Sequence, residues 1–274
     1  MQNTKLFFDF YLNASIHVAL AVFAYSRVTR LFFNIPDTKN VDFVIFLSTI
    51  IMYNFIKYGS RAKRYYIVNV KYEKRIQIVS FLAGSILFFL LFRLALTDLL
   101  LLGSLGVLSL LYIVPIGSKQ SNLRNLSTLK IYIVALVWSL ATVILPLMEL
   151  MPTNDRDIWI TFVQRFFFVT VLVLPFEIRD MGSDAETLQT LPRKFGVRNT
   201  KILGYTLLIL LLILEIFKNE IDLPHVVALT LCAIMTFFML GNSKQQQSFY
   251  YAAFWVESIP IIFWLLYTFL FRFV

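Results

Sequence analysis

The stretch FFFVTVLVLPFEIRDMGSDAETLQTLPRKFG, residues 166–196, decides how this chain is read. Its first eleven residues hold a single polar side chain, Thr170, and then Glu177, Asp180 and Asp184 fall within eight positions. An apolar run without a polar face has no side to turn towards water, unlike the helix of a soluble domain. The acids follow where such a run would leave its apolar surroundings.

The rest of the chain agrees with this reading. Of 274 residues, 59% are hydrophobic and only 15% charged, and phenylalanine alone supplies 28. A soluble domain carries about 25% charged residues. A spanning helix needs roughly 20 mostly apolar residues, and such segments fall at about 11–33, 41–58, 76–95, 97–116, 129–149, 157–177, 201–219, 223–240 and 249–272. The expected fold is therefore all-α: a polytopic membrane protein with a bundle of about nine transmembrane helices in one domain, residues 1–274. Segments three and four are expected to form a tight hairpin around Leu96 and Thr97, flanked by Arg93 and Asp98.

The opening residues MQNTKLFFD lack the charged start, short apolar core and small-residue cleavage site of a signal peptide. The first segment is expected to stay as an anchor. The one cysteine, Cys232, lies inside segment eight, where it reads as a small core residue and leaves no partner for a disulfide.

A net charge of +9 could suit nucleic acid, but its placement points elsewhere. With the segments alternating in direction, 17 of the 25 Lys and Arg fall on the side of the N-terminus, six of them in 59–75 and five in 178–201. Positive charge accumulates on the cytoplasmic side. The N-terminus is therefore expected inside and the C-terminus on the opposite side. Topology and attraction to anionic membrane lipid explain the surplus, and no nucleic-acid partner is expected.

Spacing of three and four puts Glu177, Asp180 and Asp184 on one side of a helix that continues past the lipid boundary. Crowded carboxylates need a counter-charge. One choice is Mg²⁺, which one or two carboxylates hold together with substrate phosphates. The other is a set of solvated acids balanced by Arg179, Arg193 and Lys194, and spacing leaves both open.

The continuation of the stretch resembles the second aspartate motif of the UbiA superfamily of intramembrane prenyltransferases, through Glu177, Asp180, Asp184, Thr190, Leu191, Pro192 and Gly196. Nine helices with the motif after the sixth fit that family, and LRNLSTLKIYIVALVWSLATVILP, residues 123–146, looks like its fifth helix. The resemblance implies Mg²⁺ on the diphosphate of an isoprenyl donor, loss of that diphosphate, and alkylation of a lipophilic acceptor. It also implies a first aspartate motif at the end of helix two. There the sequence reads YNFIKYGSRA, residues 53–62, with Phe55, Tyr58 and Ala62 where the family has aspartates.

The polar residues left near that position are Asn54, Lys57, Arg61 and Arg64, and the last three recur at helical spacing. Three functions follow. In the leading one, a prenyltransferase holds one Mg²⁺ on Asp180 and Asp184, with Glu177 as a third ligand. Asn54, Lys57, Arg61 and Arg64 then bind the diphosphate directly, since Arg makes bidentate contacts to phosphate. In the alternative, the cationic and acidic stripes pair with each other, and a non-catalytic relative binds a lipid or phosphorylated lipid or partners another membrane protein. A carrier for a phosphorylated lipid ranks third, because no internal repeat shows.

Elsewhere, His17 reads as a hydrogen-bonded interior residue and His225 as interfacial, and the two have no metal-ligand spacing. Glu257 lies at membrane depth in segment nine, either facing a cavity or paired with a neighbouring Tyr or Lys. Gly103 and Gly106 read as close helix contacts. Tyr112, Tyr132 and the tryptophans are candidates to line a cavity.

Overall fold

A computed structural model describes residues 2–36, 40–59, 71–111, 129–148, 156–182 and 190–272. These form helices α1 (Gln2–Asn13), α2 (Ile16–Phe32), α3 (Val41–Tyr58), α4 (Lys71–Leu91), α5 (Leu96–Leu111), α6 (Leu129–Ser139), α7 (Leu145–Leu147), α8 (Arg156–Asp180), α9 (Leu191–Glu215), α10 (Leu223–Asn242) and α11 (Ile259–Phe271). Two π-helical segments, Leu140–Ile144 and Tyr251–Val256, join α6 to α7 and precede α11. No strand occurs among the described residues.

Seven of these helical spans are long and apolar enough to cross a membrane. The pair α1–α2, bent by 58°, makes an eighth if it counts as one crossing. Helix α5 is apolar but shorter, at 16 residues. The turn between α4 and α5 sits at residues 92–95, just before the Leu96–Thr97 turn that the sequence pattern suggested.

Helix α8 is the hub, packing on α6, α9 and α10. Within their apolar windows, 61% of α8 is buried and only 11% of α4, so α8 is the axis of the bundle and α4 faces outward. The core follows: Tyr25, Phe168, Leu174, Leu211, Phe263 and Tyr267 are enclosed where α2, α8, α9 and α11 meet. Exposed Phe81, Phe88, Phe89 and Phe92 on the α4 side present an apolar surface that water would not tolerate and hydrocarbon does.

Helix breaks set where polar groups fall. Chain direction changes at Ser15, whose φ of 59° is left-handed. Pro175 inside α8 cannot donate to the preceding turn, and Gln247 Nε2 reaches the carbonyl of Pro175 at 3.1 Å. The Thr190–Leu191–Pro192 stretch starts α9 with proline in its first turn, where a missing N–H is harmless. Gly196, at φ 79° and ψ 156°, then breaks the helix in a backbone region that only glycine enters cheaply.

Close approach of α9 to α8 and α10 depends on Gly204. A Cβ built there would lie 2.3 Å from Leu240 Cδ2 and 2.9 Å from Leu174 Cδ1. Around Gly103 nothing lies within 4 Å, so that glycine is not a close helix contact. Gly204→Val should therefore cost about 1–3 kcal/mol by overpacking, read as a lowered Tm in detergent, while Gly103→Val stays within about 0.5 kcal/mol of the parent.

Candidate functional site

The ends of α3, α6 and α8 meet the α1–α2 break and the Tyr251–Val256 segment at one end of the bundle. The break leaves carbonyls of the last turn of α1 without their i+4 partners, although Leu12 O still accepts from Ser15 N at 3.2 Å. Side chains of α3 take two of them: Lys57 Nζ donates to Leu12 O at 3.4 Å and Tyr58 Oη to Asn13 O at 3.1 Å. Electrostatically Lys57 faces Glu257, and Arg179 faces the same carboxylate less strongly. Neither cation closes a direct ion pair with it among the described residues. Glu257 thus lies near cations from both α3 and α8.

His17, in the first turn of α2, fastens the same corner. Its Nδ1 lies 2.8 Å from Tyr11 Oη, and its Nε2 lies 3.0 Å from Phe254 O and 3.2 Å from Ser258 Oγ. Tyr250 donates to the Asp9 carboxylate, tying α1 to the entry of the last span.

The two described acids of the motif go to different cations. Glu177, 5% exposed, forms an ion pair with Lys130 at 2.8 Å. Asp180 pairs with its neighbour Arg179 at 2.7 Å. Arg193 instead donates to Met181 O at 2.6 Å. Helix α8 ends at Asp180, so the continuous acidic helix face expected from spacing stops there. Asp184, Arg61, Arg64 and Tyr112 lie outside the described residues. Among the described residues no three His, Cys, Asp or Glu side chains gather as a metal site. Glu177 Oε1 is taken by Lys130 and Asp180 by Arg179, so a cation at either acid would have to displace a partner already in place.

Asn54 does not join this group. It turns away from Lys57 onto α4, where Nδ2 donates to Ser80 Oγ at 2.9 Å. Its buried Oδ1 keeps no hydrogen-bond partner.

On the other side of α3 lies an apolar cavity of about 440 Å³, walled by α2, α3, α4, α5 and α6. Tyr53 and Trp138 stand on its wall, and Trp138 Nε1 donates to Tyr53 Oη at 2.9 Å. Gly103 and Gly106 line it as well, which is why a side chain there would meet open space.

The opposite end of the bundle holds a second polar network. Asp42 accepts from the Ser26 hydroxyl and pairs with Arg30 at 3.0 Å and Arg27 at 3.1 Å, joining α2 to α3. Glu215 pairs with Lys218 at 2.9 Å, meets His225 Nδ1 at 3.0 Å and accepts from Gln164 Nε2 at 2.7 Å. Burial pulls Lys218 below the usual lysine range, and Glu215 opposes that pull. His225 is therefore enclosed, 4% exposed, rather than interfacial. Arg165 sits over the Tyr25 ring, 3.8 Å from its centroid, and donates to Thr29 Oγ1 at 3.3 Å.

Two features escaped the sequence reading: the Lys130–Glu177 pair and the Glu215 network. The first joins residues far apart in the chain and leaves no local signal. The second had one, the i, i+3 spacing of Glu215 and Lys218.

No family model, no curated protein and no solved structure matches this chain.

Breaking a buried ion pair from one side leaves the other charge uncompensated, at a cost of about 3–5 kcal/mol. Glu177→Gln should lower Tm by an amount of that order, discounted for partial exposure of the pair. Lys130→Met added to it should restore most of the loss. A ligand reserved for Mg²⁺ would show neither the loss in metal-free buffer nor the rescue.

Proposed function

We propose that this chain is an intramembrane prenyltransferase of UbiA type with an altered first motif, transferring an isoprenyl group from a prenyl diphosphate to a lipophilic acceptor. The observation that carries the reading is one of placement. The cation-bearing end of α3 and the acid-bearing end of α8 meet at one end of the bundle, and α3 walls an apolar cavity along its preceding turns. A reading of nine crossings, with the bent α1–α2 pair and short α5 each spanning, puts 17 of the 25 basic residues on this side, which supports a cytoplasmic position for it.

The chemistry asks four things of the residues. Lys57, with Arg61 and Arg64 beyond it in sequence, holds the diphosphate as it takes up charge on leaving, since fixed cations stabilise charge that develops in the transition state. Arg179 supports that charge from α8. The apolar cavity keeps water from the allylic cation left behind. The acceptor attacks that cation and its proton leaves to solvent at the polar end. Mg²⁺ enters only through Asp180 and Asp184; bound there, it would neutralise the departing diphosphate.

One observation favours a second reading. Glu177 and Asp180 already have cationic partners within the fold, as they would in a non-catalytic relative that binds a phosphorylated lipid. Direct pairing of Lys57 with either acid, which that reading implies, does not occur among the described residues: Lys57 goes to Leu12 O and Glu257.

Binding of geranylgeranyl diphosphate to the purified protein, with Mg²⁺ and with a chelator, separates the readings. Metal-dependent binding abolished by Asp180→Asn with Asp184→Asn is the expected result. Lys57→Gln and Arg61→Ala should weaken binding about tenfold each, the loss of one charge-assisted contact of ~1.4 kcal/mol. Binding that ignores the chelator places the phosphate on the cations alone. Absence of binding at every chain length removes the transferase reading.

A further inference from the structure

Arg30, Lys218 and Arg165 are the Lys and Arg residues fully enclosed among the described ones, and only two of them meet a carboxylate. Arg30 pairs with Asp42 and Lys218 with Glu215. Arg165 has no acid at ion-pair distance among the described residues. It stands nine residues into α8, roughly 13 Å from the start of that helix at 1.5 Å per residue. With α8 crossing the membrane, that depth falls inside the hydrocarbon layer. A guanidinium cannot shed its charge there by losing a proton.

The surroundings of Arg165 supply donors and ring faces instead of a counter-charge. The guanidinium lies over the Tyr25 ring, 3.8 Å from its centroid, and Nη2 donates to Thr29 Oγ1 at 3.3 Å. Its other arm, Nη1, is buried and has no hydrogen-bond partner in the protein. The buried Tyr25 hydroxyl has none either, and it sits at the rim of the ring that Arg165 covers. Thr161 lies four residues before Arg165, on the same face of α8, and adds a third buried hydroxyl without a partner. Other helical threonines return this hydrogen to the carbonyl four residues back, as Thr29, Thr142, Thr170 and Thr236 do. Thr161 does not.

The charge decides what satisfies these donors. A ring face attracts a cation through its quadrupole but carries no net charge. A buried water accepts hydrogen bonds and leaves the charge as it was. Lys218 sharpens the demand, since it repels Arg165 while its own carboxylate is already engaged. An anion meets both requirements, accepting from the N–H and O–H donors and balancing the guanidinium. One uncompensated positive charge calls for one negative charge. The rings of Trp138, Phe168 and Phe263 close around Tyr25, which excludes a lipid headgroup or a bulky organic acid.

We propose that Arg165 Nη1, the Tyr25 hydroxyl and the Thr161 hydroxyl form a binding site for a small monovalent inorganic anion of the chloride class, held between α2 and α8. The bound ion completes the charge balance at the end of the bundle that holds Asp42 and Glu215. The site is separate from the polar end around Lys57, so it stands whether or not the chain is a transferase.

The test follows Tm and retention of radioactive chloride for the full chain in detergent. Sodium chloride is exchanged for sodium gluconate at equal ionic strength, which keeps surface screening constant. The parent should retain chloride saturably and melt higher in chloride than in gluconate. Tyr25→Phe and Thr161→Val each delete one donor and should each weaken retention about tenfold, the loss of one hydrogen bond to a charged group. Arg165→Met should abolish both retention and the difference between the salts. In gluconate it should melt no lower than the parent, because it removes an unpaired buried charge. Poor folding cannot produce that result. Were the Met variant not to fold, weakened retention in both hydroxyl variants, with Tm in gluconate unchanged, would support the site in its place. Equal Tm in the two salts with no chloride retained by the parent would overturn the proposal and leave water as the partner of these donors. Retention that survives in all three variants would overturn it as well, since the ion would then sit elsewhere on a chain of net charge +9.

Discussion

Hydrocarbon offers no hydrogen bonds, so each charge the chain carries below the membrane surface must find its counter-charge inside the protein. That constraint explains the arrangement at both ends of the bundle. Asp42 gathers Ser26, Arg27 and Arg30, and so fixes how α3 returns against α2. Glu215 gathers Lys218, His225 and Gln164, and so fixes α8, α9 and α10 at the same end. Glu177 with Lys130 locks α8 to α6 at the other. Apolar packing between helices gives little preference for one neighbour over another when lipid is equally apolar. The paired charges supply the register that packing leaves open.

The same constraint makes the helix irregularities useful. A regular helix hides its backbone, but the break at Ser15 exposes the carbonyls of Leu12 and Asn13, which draw Lys57 and Tyr58 across from α3. The π segment Tyr251–Val256 presents Phe254 O to His17, and the turn after it sets Glu257 opposite Lys57 and Arg179. Polar backbone and ionisable side chains are thereby collected in one corner, while the adjoining face of α3 stays apolar and walls the cavity.

Hydropathy made the helical class and the membrane setting legible, because about 20 apolar residues in a helix match the thickness of a bilayer core. Pro192 in a first turn and Gly196 at a positive φ have local causes, yet the hydropathy pattern started that helix near 201 and not at Leu191. What could not be read was partner choice. The spacing of Glu177 and Asp180 is compatible with one shared cation, yet Lys130, 47 positions before Glu177, takes the first and Arg179 the second. Asn54 follows the same logic. Its place beside Lys57 in sequence suggested a common ligand, but a helix turns 100° per residue, and the amide faces Ser80 on α4. Gly103 and Gly106 were misread for a related reason, since small residues permit either a close helix or an empty space. Only the position of α5 decides which.

Buried acids with their own cations leave little local attraction for an anion, but the balance changes when the whole face is counted. Read as nine crossings, the side that holds Lys57 and Arg179 would carry 17 of the 25 basic residues and seven of the 16 acids: Asp9, Glu73, Glu177, Asp180, Asp184, Glu186 and Glu257. The opposite side would then hold the other eight basic residues and nine acids, close to neutral. Ordinary membrane topology accounts for part of this asymmetry. On the proposed reading, the same asymmetry is the field that would bring a phosphate to the mouth of the bundle. Within that field the ion pairs cancel locally, so selectivity cannot come from charge alone. Beyond the charged rim the chain offers an apolar cavity beside α3.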